Sequence, residues 1–331
     1  MKAAYIDQTG TPEVIQVGEV SEPTCASNEL LIRVHATSVN PIDTYVRSGA
    51  VAFELPSPYF LGCDAAGIVE EVGSEVSGFS VGDRVWCTNQ GLLGIQGTTA
   101  EKISVAADWC FPIPSECSFE DAAANALVGV TAHLGLFREG RLKSGETVMV
   151  IGGSGGVGSM VVQMAVAAGA RVISTAGSDE KCEQVRALGA DVVIPYQRES
   201  ISERLKQEAP EGVNLFWETR REPDFNLAVE SLAERGRMIV MAGRDATPTF
   251  PVGPFYVKEC TLSGFVMFKA SPEEMKECAT DINHWMADGK LKSNIGATFT
   301  IDQMVEAHRL QEQATLHQTA QLMGKIVIQI K

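Results

Sequence analysis

Residues 147–158 read TVMVIGGSGGVG, a β-branched apolar strand running straight into a glycine cluster. The next twelve residues, SMVVQMAVAAGA, have the composition of a buried helix. Strand, glycine turn and helix in that order leave the chain few paths. The pattern is met twice, as Gly153-x-Gly155-x-x-Gly158 and as Gly152-x-x-Gly155-x-x-Gly158. Where no Cβ intervenes, a diphosphate can approach a helix N-terminus, whose exposed N–H groups and dipole favour negative charge. Ser154, Gly155, Gly156, Val157 and Gly158 are the expected contacts. The context supports this turn: strand-like runs follow at 171–176 (RVISTA), 191–196 (DVVIPY), 214–219 (NLFWET) and 237–242 (RMIVMA), with a helix from Asp179 to Leu188. Strands alternating with helices predict an α/β fold with a doubly wound parallel sheet and ligand at the carboxyl ends of its strands.

The charge at the end of the second strand decides which dinucleotide fits. An acid about twenty residues past the glycines would bind a ribose 2′-hydroxyl and repel a 2′-phosphate. Here the strand ends Thr175-Ala176-Gly177-Ser178, without that acid, and Lys181 falls in the first turn of the next helix. A cation there is disfavoured by the helix dipole unless an anion neighbours it. Ser178, Lys181 and Tyr196 together suit a 2′-phosphate, and NADPH is the expected coenzyme. The alternative leaves Ser178 a plain N-cap and Lys181 a solvated lysine, with Asp179 and Glu180 compensating the dipole.

At 331 residues, 45% apolar and 21% charged, the chain reads as a soluble protein of two domains. Its net charge of −15 opposes nucleic acids and anionic membranes, and no basic stretch offsets it. The first residues, MKAAYIDQTG, carry no apolar leader, and no run approaches a membrane span, so the expected location is cytoplasmic. The eight cysteines lie far apart without C-x-x-C spacing and are expected to be reduced. Residues 1–121 differ from the middle of the chain. Short β-rich runs at 30–39 and 65–73, broken by turn signals, predict a mostly antiparallel domain. After a run at 261–268 and a helix at about 272–288, a final strand at 324–330 is expected to return to it.

The segments VNPIDTYVRSG (39–49), LGCDAAGIVEEVGSEVSGFSVGDRV (61–85), LKSGETVMVIGGSGGVGSMVVQMA (142–165) and the closing GKIVI together resemble the medium-chain dehydrogenase/reductase superfamily. More narrowly, the chain resembles its zinc-independent quinone oxidoreductase branch, which includes zeta-crystallin. The resemblance implies a GroES-like catalytic domain (1–121 and 269–331), a Rossmann domain (122–268) and a coenzyme in the interdomain cleft. It also implies a homodimer joined through the Rossmann sheets near 261–268. By position it assigns Asn40 and Tyr45 to the reacting centre and Thr131, Gly243, Arg244, Phe265 and Met267 to the nicotinamide side. It sends Lys325 to the adenosine phosphate. Arg220-Arg221, where relatives have a small turn, reads either as a further phosphate contact or as a solvated loop.

Zinc-dependent relatives carry a cysteine where this chain has Asn40 and a His-Glu pair where it has Cys63-Asp64. Catalytic zinc takes three N, S or carboxylate donors and asparagine is a poor one, so no metal is expected. Without a Lewis acid to stabilise an alkoxide, the acceptor must delocalise the incoming charge itself. Hydride reaching a quinone, or the β-carbon of an enone, produces an aryloxide or enolate that fixed hydrogen-bond donors stabilise. Asn40 and Tyr45 are the candidate donors; either is alternatively structural, Asn40-Pro41 as a turn starter and Tyr45 as a packed ring. Relatives often have tyrosine where this chain has Val51, and an aromatic residue in the segment that reads Gly97-Thr98-Thr99-Ala100-Glu101 here. The expected activity is NADPH-dependent reduction of quinones or related conjugated carbonyl compounds. The alternatives are an alkenal or enone double-bond reductase and a non-catalytic NADPH-binding sensor or structural protein.

Overall fold

The computed structural model describes residues 1–317, 319 and 322–330. The chain divides into two units, Met1–Val130 with Phe268–Lys331, and Thr131–Met267. The boundary falls at 130/131 where the sequence suggests 121/122, and both positions lie within one continuous helix, Phe119–His133.

In the first unit the elements run β1 (Lys2–Ile6), β2 (Gln16–Glu19), β3 (Glu29–Val39), α1 (Pro41–Ser48), β4 (Tyr59–Phe60), β5 (Asp64–Val72), β6 (Arg84–Cys87), β7 (Lys102–Ala106), β8 (Cys110–Pro112) and α2 (Phe119–His133). The second unit holds β9 (Thr147–Val150), α3 (Gly156–Ala167), β10 (Arg171–Ala176), α4 (Asp179–Ala187), β11 (Val192–Pro195), α5 (Ile201–Glu208), β12 (Val213–Glu218), α6 (Phe225–Ser231), β13 (Leu232–Val240), α7 (Val252–Val257) and β14 (Thr261–Gly264). The chain completes the first unit with α8 (Pro272–Ala287), β15 (Ile295–Thr300), α9 (Met304–Glu312) and β16 (Lys325–Gln329).

The second unit is a Rossmann-type sheet of order β11-β10-β9-β12-β13-β14 in which every pairing is parallel. Strands covered by helices on both faces are buried without alternation, as β9 and β10 are after their first residue. The order reverses between β9 and β12, the place where such sheets bind ligands beyond their strand ends. β13 begins five residues before the apolar run at 237. Its first part, LAERG, contains solvent-facing Glu234 and Arg235, which hide it from a hydrophobic pattern. β14 stops at Gly264, and Met267–Lys269 form a 3-10 turn, so the run at 261–268 is a strand for half its length.

The first unit is the GroES-like, β-rich one. Its larger sheet has the order β15-β16-β3-β5-β6-β8, with β7 also on β3, and a smaller sheet has the order β2-β1-β4. β3 alternates buried and more accessible residues at first, then is buried on both faces from Ala36 to Val39. That end brings Thr37 and Ser38 into the core, where their hydroxyls must find partners. β16 pairs antiparallel with β3, placing Ile326 opposite Val39. Among the described residues no helix is long and apolar enough to cross a membrane.

Candidate functional site

The glycine turn of the second unit is shaped by steric need at three positions and by openness at a fourth. Gly152 has φ +73°, in the left-handed region that disfavours side chains. A Cβ on Gly153 would lie 2.2 Å from Ser174 Oγ, and one on Gly158 would lie 2.2 Å from the carbonyl oxygen of Gly152. These two let the strand, the turn and α3 pack closely. At Gly155, the exposed N-cap of α3, a Cβ would touch only the Gly152 oxygen, at 3.4 Å, so glycine there leaves the helix N-terminus open to a ligand. The four leading N–H groups of such a helix have no partner within it. Thr175 holds the turn from the next strand, its Oγ1 accepting from the amide of Gly152 at 2.9 Å. Ser154 and Gly158 are buried, and Gly156 and Val157 half-buried.

At the end of β10, Ser178 caps α4: its hydroxyl oxygen accepts from the amide of Lys181 at 3.3 Å. The N-cap reading of Ser178 therefore holds, and its O–H still has a proton to donate. Lys181 is half-buried in the first turn, and the exposed Tyr196 places its hydroxyl beside Gly177, 2.4 Å from where a Cβ would be. Asp179, the nearest carboxylate of the first turn, is paired with Arg198 across a surface ion pair. Arg198, which the sequence reading passed over, neutralises one of the two acids of that turn, the other being Glu180.

The remaining candidates of this unit lie on separate elements. Thr131 is buried on α2, and Gly243 takes φ +85° beyond β13, beside the exposed Arg244. Met267 is buried. Phe265 meets Trp217 edge to face, ring centroids 6.3 Å apart, and carries the Arg138 guanidinium over its ring, so it is a packing residue as well. Of the Arg220-Arg221 pair, Arg221 is exposed in the loop after β12, while Arg220 is half-buried and engaged with its neighbour. Its guanidinium grips the wholly buried carboxylate of Glu218, Nε to Oε1 at 2.9 Å and Nη2 to Oε2 at 2.6 Å. A buried carboxylate needs such a partner.

In the first unit the candidate residues belong to a buried polar cluster. Asp64, on β5, accepts from Ser38 Oγ (2.7 Å) and Asn40 Nδ2 (2.8 Å) at Oδ2, and from Thr88 Oγ1 (2.7 Å) at Oδ1. Asp43 closes the first turn of α1 by accepting from the Asn40 amide at 2.7 Å, and its other oxygen accepts from the Cys63 thiol at 2.8 Å. Lys325 donates to the carbonyl of Val39 at 2.9 Å and to Asn40 Oδ1. All of these side chains are buried. Burial presses the Lys325 ammonium below its usual range, against the pull of Asp64 and Asp43. Burial lifts the Asp43 carboxyl to about 6, and pushes the Cys63 thiol well up, reinforced by the charges of Asp43 and Asp64.

Two expectations change here. The buried ammonium of Lys325 faces Asn40, not an adenosine phosphate, because the register of β16 on β3 delivers residue 325 to the end of β3. Asn40 is wholly buried with its carboxamide held between Lys325 and Asp64, an arrangement that favours the structural alternative, a positioning residue for α1. Tyr45, half-buried on the same helix, is the remaining candidate donor.

Family models and relatives agree on what this chain resembles. The alcohol dehydrogenase GroES-like domain model matches residues 26–115, and the zinc-binding dehydrogenase model matches residues 156–284. A quinone oxidoreductase of Rattus norvegicus is 32% identical over 330 residues, covering 99% of this chain and 97% of the relative. The chain belongs to the medium-chain dehydrogenase/reductase superfamily. It is therefore an oxidoreductase of a superfamily that uses NAD(P)H. Among solved members, an Escherichia coli quinone oxidoreductase complexed with NADPH superposes with TM-score 0.84 at 28% identity, covering 99% of this chain and all of the other. A structure described as an NAD-dependent alcohol dehydrogenase superposes with TM-score 0.90 at 28% identity over the whole of both chains. Neighbours thus include both coenzyme types, and the choice rests on each member's own residues.

Many members of the superfamily hold zinc, and the residues here do not suit it. The position answering to a cysteine ligand is Asn40, whose oxygen accepts from the Lys325 ammonium. A dication would meet that cation in a site of low dielectric. Asp64 already accepts three hydrogen bonds, and Cys63 donates to Asp43 with its thiol pushed away from the thiolate that binds metal. For the coenzyme the opposite holds: the open N-cap at Gly155, and a strand end where Asp179 is already paired with Arg198, both suit a phosphorylated ligand.

Proposed function

We propose that this protein is an NADPH-dependent, zinc-independent reductase of quinones or similarly conjugated carbonyl compounds. The observation that carries the reading is the Lys325 ammonium bonded to Asn40 at the place of a zinc ligand. A site that repels a metal ion leaves the acceptor to delocalise its own charge, which quinones and enones do and simple ketones do not. Hydride is the chemistry that the coenzyme supplies when bound. The amides from Ser154 to Gly158 hold its diphosphate, and Ser178, Lys181 and Tyr196 hold the 2′-phosphate. Thr131, Gly243, Arg244 and Met267 serve the nicotinamide end. Tyr45 supplies the hydrogen bond to the oxygen that gains charge, and the Asn40–Asp43 contacts fix the helix that carries it.

The free edge of β14, with exposed Leu262 and Val266 and the neighbouring Tyr256 and Val257 of α7, supports a homodimer through this strand. Elution at the monomer mass would remove that contact from the reading. Eight free cysteines and the lack of a membrane-crossing helix among the described residues support a cytoplasmic location. Steady-state assays with 1,4-naphthoquinone, phenanthrenequinone and trans-2-hexenal test the acceptor class. Turnover of the two quinones is expected, and activity confined to the alkenal would overturn it.

A further inference from the structure

Two of the eight cysteines face each other across neighbouring strands. β6 and β8 pair antiparallel with Val85 opposite Pro112, Trp86 opposite Phe111 and Cys87 opposite Cys110. One step beyond, the amide of Ile113 donates to the carbonyl of Arg84 at 2.9 Å. Directly opposed pairs in an antiparallel ladder alternate between hydrogen-bonded and non-hydrogen-bonded. Counting from Arg84 and Ile113, the non-bonded pairs are Val85 with Pro112 and Cys87 with Cys110. Pro112 fixes the same phase independently, because a residue without an N–H fits only where the ladder requires none. At a non-bonded pair the Cα atoms approach to about 4.5 Å with both side chains on one face. A disulfide spans Cα distances of roughly 4.4–6.8 Å. Among the described residues no other two cysteines are opposed in a strand pair.

Both thiols are buried, and burial raises both, Cys87 to about 12, which keeps them protonated at neutral pH. The closed strand pair is therefore inert. β8, however, is a three-residue strand at the end of its sheet, paired in the ladder with β6 alone and otherwise tied by Asn283 of α8, which donates to the Pro112 carbonyl at 2.8 Å. Short edge elements open locally at far lower free energy than the sheet interior.

We propose that Cys87 and Cys110 are a cross-strand dithiol that closes to an intramolecular disulfide when β8 opens to a low-molecular-weight disulfide. On opening, the Cys110 sulfur gives up its proton and attacks the reagent's S–S bond, releasing one reagent thiol and leaving a mixed disulfide. The Cys87 sulfur then gives up its proton and attacks the Cys110 sulfur, releasing the second reagent thiol. The two cysteines lose two electrons and two protons, and the reagent gains both. Closure ties the end of the sheet to β6 one residue before Thr88, whose hydroxyl donates to Asp64.

The test uses the full chain with 2-hydroxyethyl disulfide, followed by acid quench, alkylation, intact mass and non-reducing peptide mapping. The expected product has lost two hydrogen atoms, contains a cross-linked peptide joining Cys87 and Cys110, and returns to the starting mass on reduction. Cys110→Ser should lose the cross-link and no other thiol should replace it. The same incubation in urea below the unfolding transition separates access from geometry. Recovery of Cys87 and Cys110 alkylated, or each carrying the reagent, under both conditions would overturn the proposal. The experiment uses no coenzyme and no acceptor, so its outcome is independent of the reductase reading.

Discussion

The two units build their candidate sites from different materials. In the second unit the site is mainly backbone: a left-handed Gly152, two glycines that permit close packing, and an open helix N-terminus at Gly155. In the first unit it is side chains from five elements or their ends, centred on the Asp64 carboxylate and the Lys325 ammonium. A backbone site tolerates many sequences around it but few at its glycines. A buried charge cluster tolerates no unpaired member, since removing one partner leaves the other uncompensated.

The largest expected effect breaks the cluster. Asp64→Ala leaves the hydroxyls of Ser38 and Thr88 and the carboxamide N–H of Asn40 without their acceptor and removes a charge that faces the Lys325 ammonium; it should destabilise the fold by about 3–5 kcal/mol in urea unfolding. If the units differ as described, the folded variant still binds NADPH through the second unit. A variant as stable as the parent would show that the cluster carries no such weight. Next comes Gly158→Ala, whose Cβ would press on the Gly152 carbonyl, a backbone atom that yields only if the turn moves. Overpacking of this kind costs about 1–3 kcal/mol. NADPH affinity should fall along with stability; unchanged affinity would show that the turn does not hold the coenzyme.

A smaller effect distinguishes the first unit by its pH dependence. The Asp43 carboxyl keeps its proton up to about 6 in the fold, where Cys63, Asn40, Asp64 and Lys325 face it. Unfolded, it releases the proton near about 4. The native state therefore binds the extra proton between these values, and this group makes the fold less stable as pH rises from about 4 to 6. The stability difference between the parent and Asp43→Asn should shift across that window and be flat above it. A constant difference from pH 4 to 7 would contradict the buried carboxyl.

What could be read from the sequence follows the same division. The strand, glycine turn and helix are contiguous, so local pattern alone located the Rossmann sheet and its turn. The β13 start was hidden because Glu234 and Arg235 face solvent. The charge cluster joins residues 38, 40, 43, 63, 64, 88 and 325, and only tertiary register brings Lys325 to Asn40. The family resemblance supplied Asn40 and Lys325 as positions, but not that each is the other's partner. Arg220 had a local signal in the spacing Glu218-x-Arg220. Arg198 had none, because its partner Asp179 lies nineteen residues away in sequence.

The proposed function stands on a dinucleotide held at Gly155 with its 2′-phosphate at Ser178, Lys181 and Tyr196. Calorimetric titration of the parent and Lys181→Ala with NADPH and NADH tests it most directly. The parent should prefer NADPH, and the substitution should weaken NADPH by about tenfold, near 1.4 kcal/mol, while leaving NADH unchanged. Equal affinity of the parent for the two coenzymes, or an equal loss of both in the variant, would contradict it.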